Sequence, residues 1–189
     1  MPLFYQVSDK EMVQARNGLF RERGIPALQQ QHFVPTPFSS SWFGRDNLGG
    51  YTYEFCRIAP GSHLEMVQVH ISKGDRWVKC FLNIFLLQPP LVSVEALRQE
   101  DGMPFHLPPH SRSEMRLRID DIKTIPLFNL WGKQHKVGAY FSQRGFDNQC
   151  AALGELLHRD LNDINRFVTR WHELHQPLVV KWNGEIITF

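Results

Sequence analysis

Near the N-terminus, apolar residues recur every three or four positions: Met12, Ala15 and Leu19, with Val13 and Phe20 beside them. That spacing predicts a helix. Ser8 and Glu11 form a capping-box pair at its start, each side chain satisfying a free backbone donor. Gly24 and Pro26 read as its stop, a C-terminal glycine followed by a residue that cannot continue the helix. The expected helix covers about residues 9–23, and a short helical turn through ALQQQ follows until FVPTP breaks it.

From Ser41 the period changes to two. WFGR reads as a short strand closed by the turn-rich DNLGG, and YTYEFCRI places Tyr51, Tyr53 and Phe55 opposite Thr52, Glu54 and Cys56. Pro60-Gly61 and the segment 73–76 supply turns. Between and after them, HLEMVQVHIS and WVKCFLNIFLL are the next strands. The last is apolar on both faces, which suits the middle of a sheet, and the short turns predict an antiparallel meander. VSVEALRQE reads as a short helix, MRLRI at 115–119 as another strand, and KTIPLFNLWG and VGAYFSQ as extended segments.

Toward the C-terminus, Leu153, Leu157, Leu161, Ile164, Val168, Trp171 and Leu174 keep helical spacing. Asp160 can cap a second helix there, so 148–175 reads as one helix or two. A hairpin around Asn183-Gly184 closes the chain. The architecture is a single α+β domain over residues 1–189: an N-terminal helix, an antiparallel meander of four or more strands, and a C-terminal helical segment packed on one face.

The stretch HLEMVQVH carries two histidines and a glutamate. In a regular strand His63 and Glu65 point to one face and His70 to the other, so the histidines cannot share a metal. A bulge would restore a common face. The switch of apolar phase from Leu64 and Met66 to Val67, Val69 and Ile71 fits one. The zinc-deaminase pattern that His63-x-Glu65 resembles needs a later P-C-x-x-C, which is absent. The stretch therefore reads as a strand first.

Composition narrows the classes further. The formal net charge is +2, with neither the basic stripe of a nucleic-acid binder nor an acidic surface. Cys56, Cys80 and Cys150 are dispersed and odd in number, which suggests a reducing compartment. The N-terminus lacks the charged and apolar regions of a secretory signal, and no apolar run approaches the ~20 residues of a spanning helix. A soluble, cytoplasmic protein is expected. His172 and His175 lack the spacing of a zincin pair, and G-x-S-x-G, the P-loop and G-x-G-x-x-G are all missing. No catalytic residue, metal or cofactor is assigned, and the chain does not read as an enzyme.

The order of a helix running into HFVPTPF, then WFGR, YTYEF, HLEMVQV and CFLNIFL resembles a family of uncharacterised bacterial immunity-type domains. These are found beside polymorphic toxins of type VI secretion or Rhs proteins. The likeness covers roughly residues 10–90, with a looser match at FVTRWHEL. It implies an immunity protein that binds a cognate protein toxin in the cytoplasm, occluding its active site or substrate access without a cofactor. Affinity in such contacts comes from a few Trp, Tyr or Arg anchors. Trp42, Arg45, Trp131 and the 102–113 loop with His106 and His110 are the expected toxin-binding positions, because they fall outside clean core periodicity. Trp42 and Trp131 as core residues are the competing reading. Two other classes remain: a nucleic-acid-binding or adaptor module with a basic face of Arg116, Arg118, Lys123 and Lys133, and a metal hydrolase joining His63, Glu65 and His106.

Overall fold

The computed structural model describes residues 5–38, 40–99, 113–121 and 133–187. Helix α1 spans Asp9–Leu19 and begins with the expected capping box: the Glu11 amide donates to Ser8 Oγ at 3.3 Å and the Ser8 amide to Glu11 Oε2 at 3.0 Å. Gly24 and Pro26 do not end it. A π-helical turn over Phe20–Gly24 leads directly into α2, Ile25–Gln30. Pro26 sits in the first turn of α2, just after the π-helical turn in which the Ile25 amide reaches back to the Phe20 carbonyl; the helical run continues past it although it has no N–H to donate. Gly24 is there for packing: a Cβ at this position would lie 2.4 Å from Cδ2 of Phe20. The helical run ends instead at His32, whose positive φ of 64° lets the Phe33 amide reach back to the Leu28 carbonyl.

Strands β1 (Val34–Pro35) and β2 (Phe43–Arg45) lie along one edge of β3 (Tyr51–Ala59). The meander continues through β4 (His63–Ile71) and β5 (Lys79–Leu87). After α3 (Val94–Gln99), β6 (Met115–Arg116) joins β5 antiparallel. Beyond helices α4 (Gln143–Asn162) and α5 (Ile164–Leu174), β7 (Leu178–Val180) runs parallel to β5. The fold is α+β, with a seven-stranded sheet that is antiparallel except for β7.

Pairing of β4 runs unbroken from Tyr51↔Ile71 to Ala59↔His63, so there is no bulge and His63 and His70 face opposite sides. The phase switch has another cause: both faces of the sheet are buried. Val67, Val69, Ile71, Cys80, Leu82 and Ile84 pack beneath α1, α2, α4 and α5. Leu64, Met66, Cys56, Phe85 and Leu87 form a second core with Phe38, Val94, Leu97 and Val180. The helical segment does cover one face, as expected, and the other is partly closed by α3 and its neighbours.

The C-terminal helices are two. The first begins at Gln143 rather than near 148, with Ser142 Oγ accepting from the Gly145 amide at 3.1 Å. The junction is at Asp163, and Asp160 is no cap: it lies inside α4, fully buried. Only Met115–Arg116 of the expected 115–119 strand is extended, because a turn with Arg118 at φ 63° follows. Residues 137–143 form no strand; Val137 is buried and the chain passes to the Ser142 cap. KTIPLFNLWG, residues 123–132, lies outside the described residues.

Candidate functional site

Among the described residues, exposed apolar groups gather at β2 and the turn that follows it. Trp42 is 40%, Phe43 49% and Leu48 89% exposed, with the exposed Arg45 between them. Large apolar side chains left in water on one edge mark contact surfaces more often than isolated ones do. Trp42 is thus a surface residue rather than a core one, which its aromatic character alone did not decide.

This edge is held firmly. The backbone groups of Trp42 and Glu54 pair, with the Glu54 amide donating to the Trp42 carbonyl at 3.0 Å and the Trp42 amide to Glu54 Oε2 at 3.2 Å. The ring of Phe43 stands edge-on to Tyr53 and to Phe55, each at 5.2 Å between centroids. Past β2, Asp46 Oδ1 accepts from the amides of Leu48 (2.9 Å) and Gly50 (2.8 Å). This turn explains Leu48: its side chain is projected outward by a loop that Asp46 fixes. Gly50 closes the turn against β4, where a Cβ would lie 2.6 Å from the Ile71 carbonyl oxygen.

Beside β2 runs a groove of about 800 Å³ between the α1–α2 helical run and the sheet, lined by Asn17, Arg21, Glu22, Ile25, Phe43 and Tyr53 among others. Tyr53 donates from its hydroxyl to Asn17 Oδ1 at 2.7 Å, and burial pushes its pKa up, so it stays a neutral donor. A second hollow of about 240 Å³ adjoins it, with Tyr51 lining both; Lys10, Arg45, Leu48 and Lys73 bound this one.

Of the residues nominated from the sequence, Trp42 and Arg45 lie on this edge of the sheet, Arg45 at the hollow and Trp42 just before β2, while His106, His110 and Trp131 lie outside the described residues. Phe43, Leu48, Lys10, Arg21 and Lys73 belong to the same surface and were not anticipated. Phe43 follows Trp42 directly and offered some signal; the lysines are brought in only by the fold.

Four of the groups behind the two competing readings, His63, Glu65, Arg116 and Arg118, are engaged elsewhere. Glu65 is buried and ion-paired with Arg57 at 2.7 Å, and Arg57 also donates to the Gln31 carbonyl and Asn165 Oδ1. His63 places Nδ1 3.0 Å from the Pro60 carbonyl and its ring edge-on to exposed His172. Burial, and then the nearby Lys79, lower the His70 pKa and keep the ring neutral at neutral pH. Among the described residues no group of three or more His, Cys, Asp or Glu is placed to hold a metal ion. Arg118 turns inward to Asp160, Arg116 stacks over the Trp77 ring at 4.5 Å, and Lys123 lies outside the described residues.

Among the described residues no helix is long and apolar enough to cross a membrane. Comparison with protein-family models, with curated proteins and with solved structures finds no match to this chain.

Proposed function

We propose that this chain is a protein-binding module of the immunity type, which neutralises a cognate protein toxin in the cytoplasm by covering its active site or substrate entrance. The observation that carries the reading is the run of Trp42, Phe43, Arg45 and Leu48 on one rigid edge beside a groove. Trp and Arg, with Tyr, which lines the groove part-buried at Tyr51, are the residue types that dominate binding energy at protein interfaces. Preorganisation adds to this, since Glu54 and Asp46 hold the backbone at Trp42 and Leu48 and Tyr53 packs against the Phe43 ring, so the edge loses little backbone freedom on contact. An apolar centre ringed by charges is also the usual anatomy of a specific interface.

The test is to tag the protein in its native host, under conditions where the neighbouring toxin is expressed, and to identify what co-purifies. A stoichiometric partner that is the C-terminal domain of a large secreted protein supports the reading. Its affinity should fall at least about 30-fold in the Trp42→Ala/Phe43→Ala double variant, the loss typical of an interface anchor. Recovery of no such partner, or an affinity unchanged by the double variant, overturns it.

A further inference from the structure

We infer that the hollow formed by Lys10, Arg45 and Lys73 is a carboxylate-recognition pocket, which takes an Asp or Glu side chain of the partner protein while an apolar neighbour of that residue enters the adjoining groove. The inference rests on the protein-binding reading above and names the chemistry of the contact.

Unanswered charge is the first support. Most buried or half-buried cations of the fold have a counter-charge: Arg16 and Lys79 on Asp75, Arg57 on Glu65, Arg118 on Asp160, Arg170 on Glu173. Lys10, Arg45 and Lys73 are exposed and line one small hollow, and among the described residues none of them takes part in an ion pair or a side-chain hydrogen bond. Asp46 and Glu11, next to Arg45 and Lys10 in the chain, form no ion pair with them. Asp46 Oδ1 holds two backbone amides, and Glu11 is closed on Ser8.

The backbone segments that carry the three cations are also held together. Lys10 rides on α1, whose Arg16 donates to the Ser72 carbonyl at 2.9 Å and to Asp75 Oδ1 at 2.8 Å; this ties the helix to the turn that carries Lys73. Arg45 ends β2, held by pairing with Tyr51 and by the Asp46 turn. Like charges held at one site repel, and an incoming anion relieves that repulsion.

The form of the site favours a protein acid over a nucleic-acid backbone. A phosphate chain needs cations spread along a stripe, whereas these close around a single hollow. Glu22 on the groove would oppose a second phosphate, and the edge-on contacts of Phe43 engage it with Tyr53 and Phe55 rather than leaving it a free stacking platform. Beside the charged hollow, Ile25, Phe43 and Tyr53 offer apolar surface for the neighbouring side chain.

The experiment titrates the full chain with a fluorescein-labelled peptide alternating Glu and Phe, its Gln/Phe counterpart, and a single-stranded oligodeoxynucleotide. Saturable binding of the Glu/Phe peptide is expected, weakening with salt and at least about tenfold in Arg45→Glu/Lys73→Glu, with the Gln/Phe peptide at least tenfold weaker. The milder Arg45→Gln/Lys73→Gln pair, checked by thermal melting, separates lost recognition from lost folding. Absence of binding, equal affinity for both peptides, an unaffected double variant, or tighter binding of the oligonucleotide overturns the inference. If the co-purified partner is released by Trp42→Ala/Phe43→Ala but not by Arg45→Glu/Lys73→Glu, the pocket assignment fails and the protein-binding reading stands.

Discussion

Arg16 of α1 places Nη1 2.8 Å from Asp75 Oδ1, so a fully buried guanidinium of the first helix closes the turn between β4 and β5. The same side chain donates to the carbonyls of Met12, Ser72 and Trp77, so each of its three nitrogens has an acceptor. Burial lowers the Arg16 pKa, opposed by the Asp75 charge, and the group remains cationic at any ordinary pH. Helix and hairpin are thereby locked in one orientation, and Lys10 and Lys73 with them.

Arg16→Met should therefore be costly although methionine fills much of the volume. It leaves Asp75 short of one partner and two loop carbonyls without donors, and breaking buried charged networks costs about 3–5 kcal/mol. Asp75 keeps Lys79 at 2.9 Å and is partly exposed, which places the expected loss at the lower end, about 3 kcal/mol. Urea unfolding of the two proteins measures it; a change below about 1 kcal/mol would show that the turn closes without Arg16.

Asp160 is the second buried hub, in α4. Arg118 donates to both of its oxygens and His135 Nε2 lies 2.9 Å from Oδ2. Burial acts to raise this carboxyl, but the hydrogen bonds and charges of Arg118 and His135 outweigh it and hold the pKa far below the usual carboxylate range. An unfolded aspartate titrates near about 4. Between that value and the lower folded one, the unfolded chain binds the extra proton, so stability from this site is full above about pH 4 and drains away as pH falls. Asp160→Asn should destabilise by about 3 kcal/mol or more at pH 7. It should also flatten the decline of stability between about pH 4 and 2, as read by denaturant midpoints across that range. An unchanged acid limb would show that the proton linkage lies elsewhere.

What the chain made legible was local. The Ser8–Glu11 cap, the meander and the Asn183-Gly184 turn each depend on residues a few positions apart, and each is found. The phase switch in β4 was visible but ambiguous, because a bulge and a second core leave the same trace. Only the packing of Phe38, Val94 and Leu97 on the far face decides between them. Asp160 resembled a cap for the same reason: its partners, Arg118 and His135, are distant in sequence. Of the proposed contact surface, Trp42 and Arg45 were nominated from their place outside clean core periodicity, whereas the hollow joins residues 10, 45 and 73 and has no linear signature.

Gly24 shows a glycine whose value lies in packing. Its backbone is right-handed (φ −75°, ψ −47°), so alanine would fit the helix and gain in propensity. The added Cβ, however, would meet the Phe20 ring at 2.4 Å and Leu161 Cδ1 at 3.2 Å. Phe20 is fully buried against Tyr53 at 5.1 Å between rings and has little room to retreat. Gly24→Ala should lower stability by about 1–3 kcal/mol, the usual cost of overpacking. A stabilised variant in thermal melting would mean the ring moves freely.

A recognition residue and a core residue separate most clearly when stability and binding are measured on the same variant. Trp42 keeps 40% and Phe43 49% of its surface in water, so truncating them forfeits only partial burial. Phe43→Ala also loses its edge contacts with Tyr53 and Phe55 and should cost about 1 kcal/mol; Trp42→Ala should cost less. Tyr53→Phe is the internal contrast: it deletes the bond to Asn17 in a buried setting and should lower stability by about 1 kcal/mol without exposing new surface. If β2 is the contact edge, the alanine variants lose partner affinity well beyond their loss of stability, by about 2 kcal/mol or more, and Tyr53→Phe loses the two in proportion. Urea unfolding and calorimetric titration with the co-purified partner give both numbers. Parallel losses in all three variants would make Trp42 and Phe43 supports of the fold and remove them from the interface.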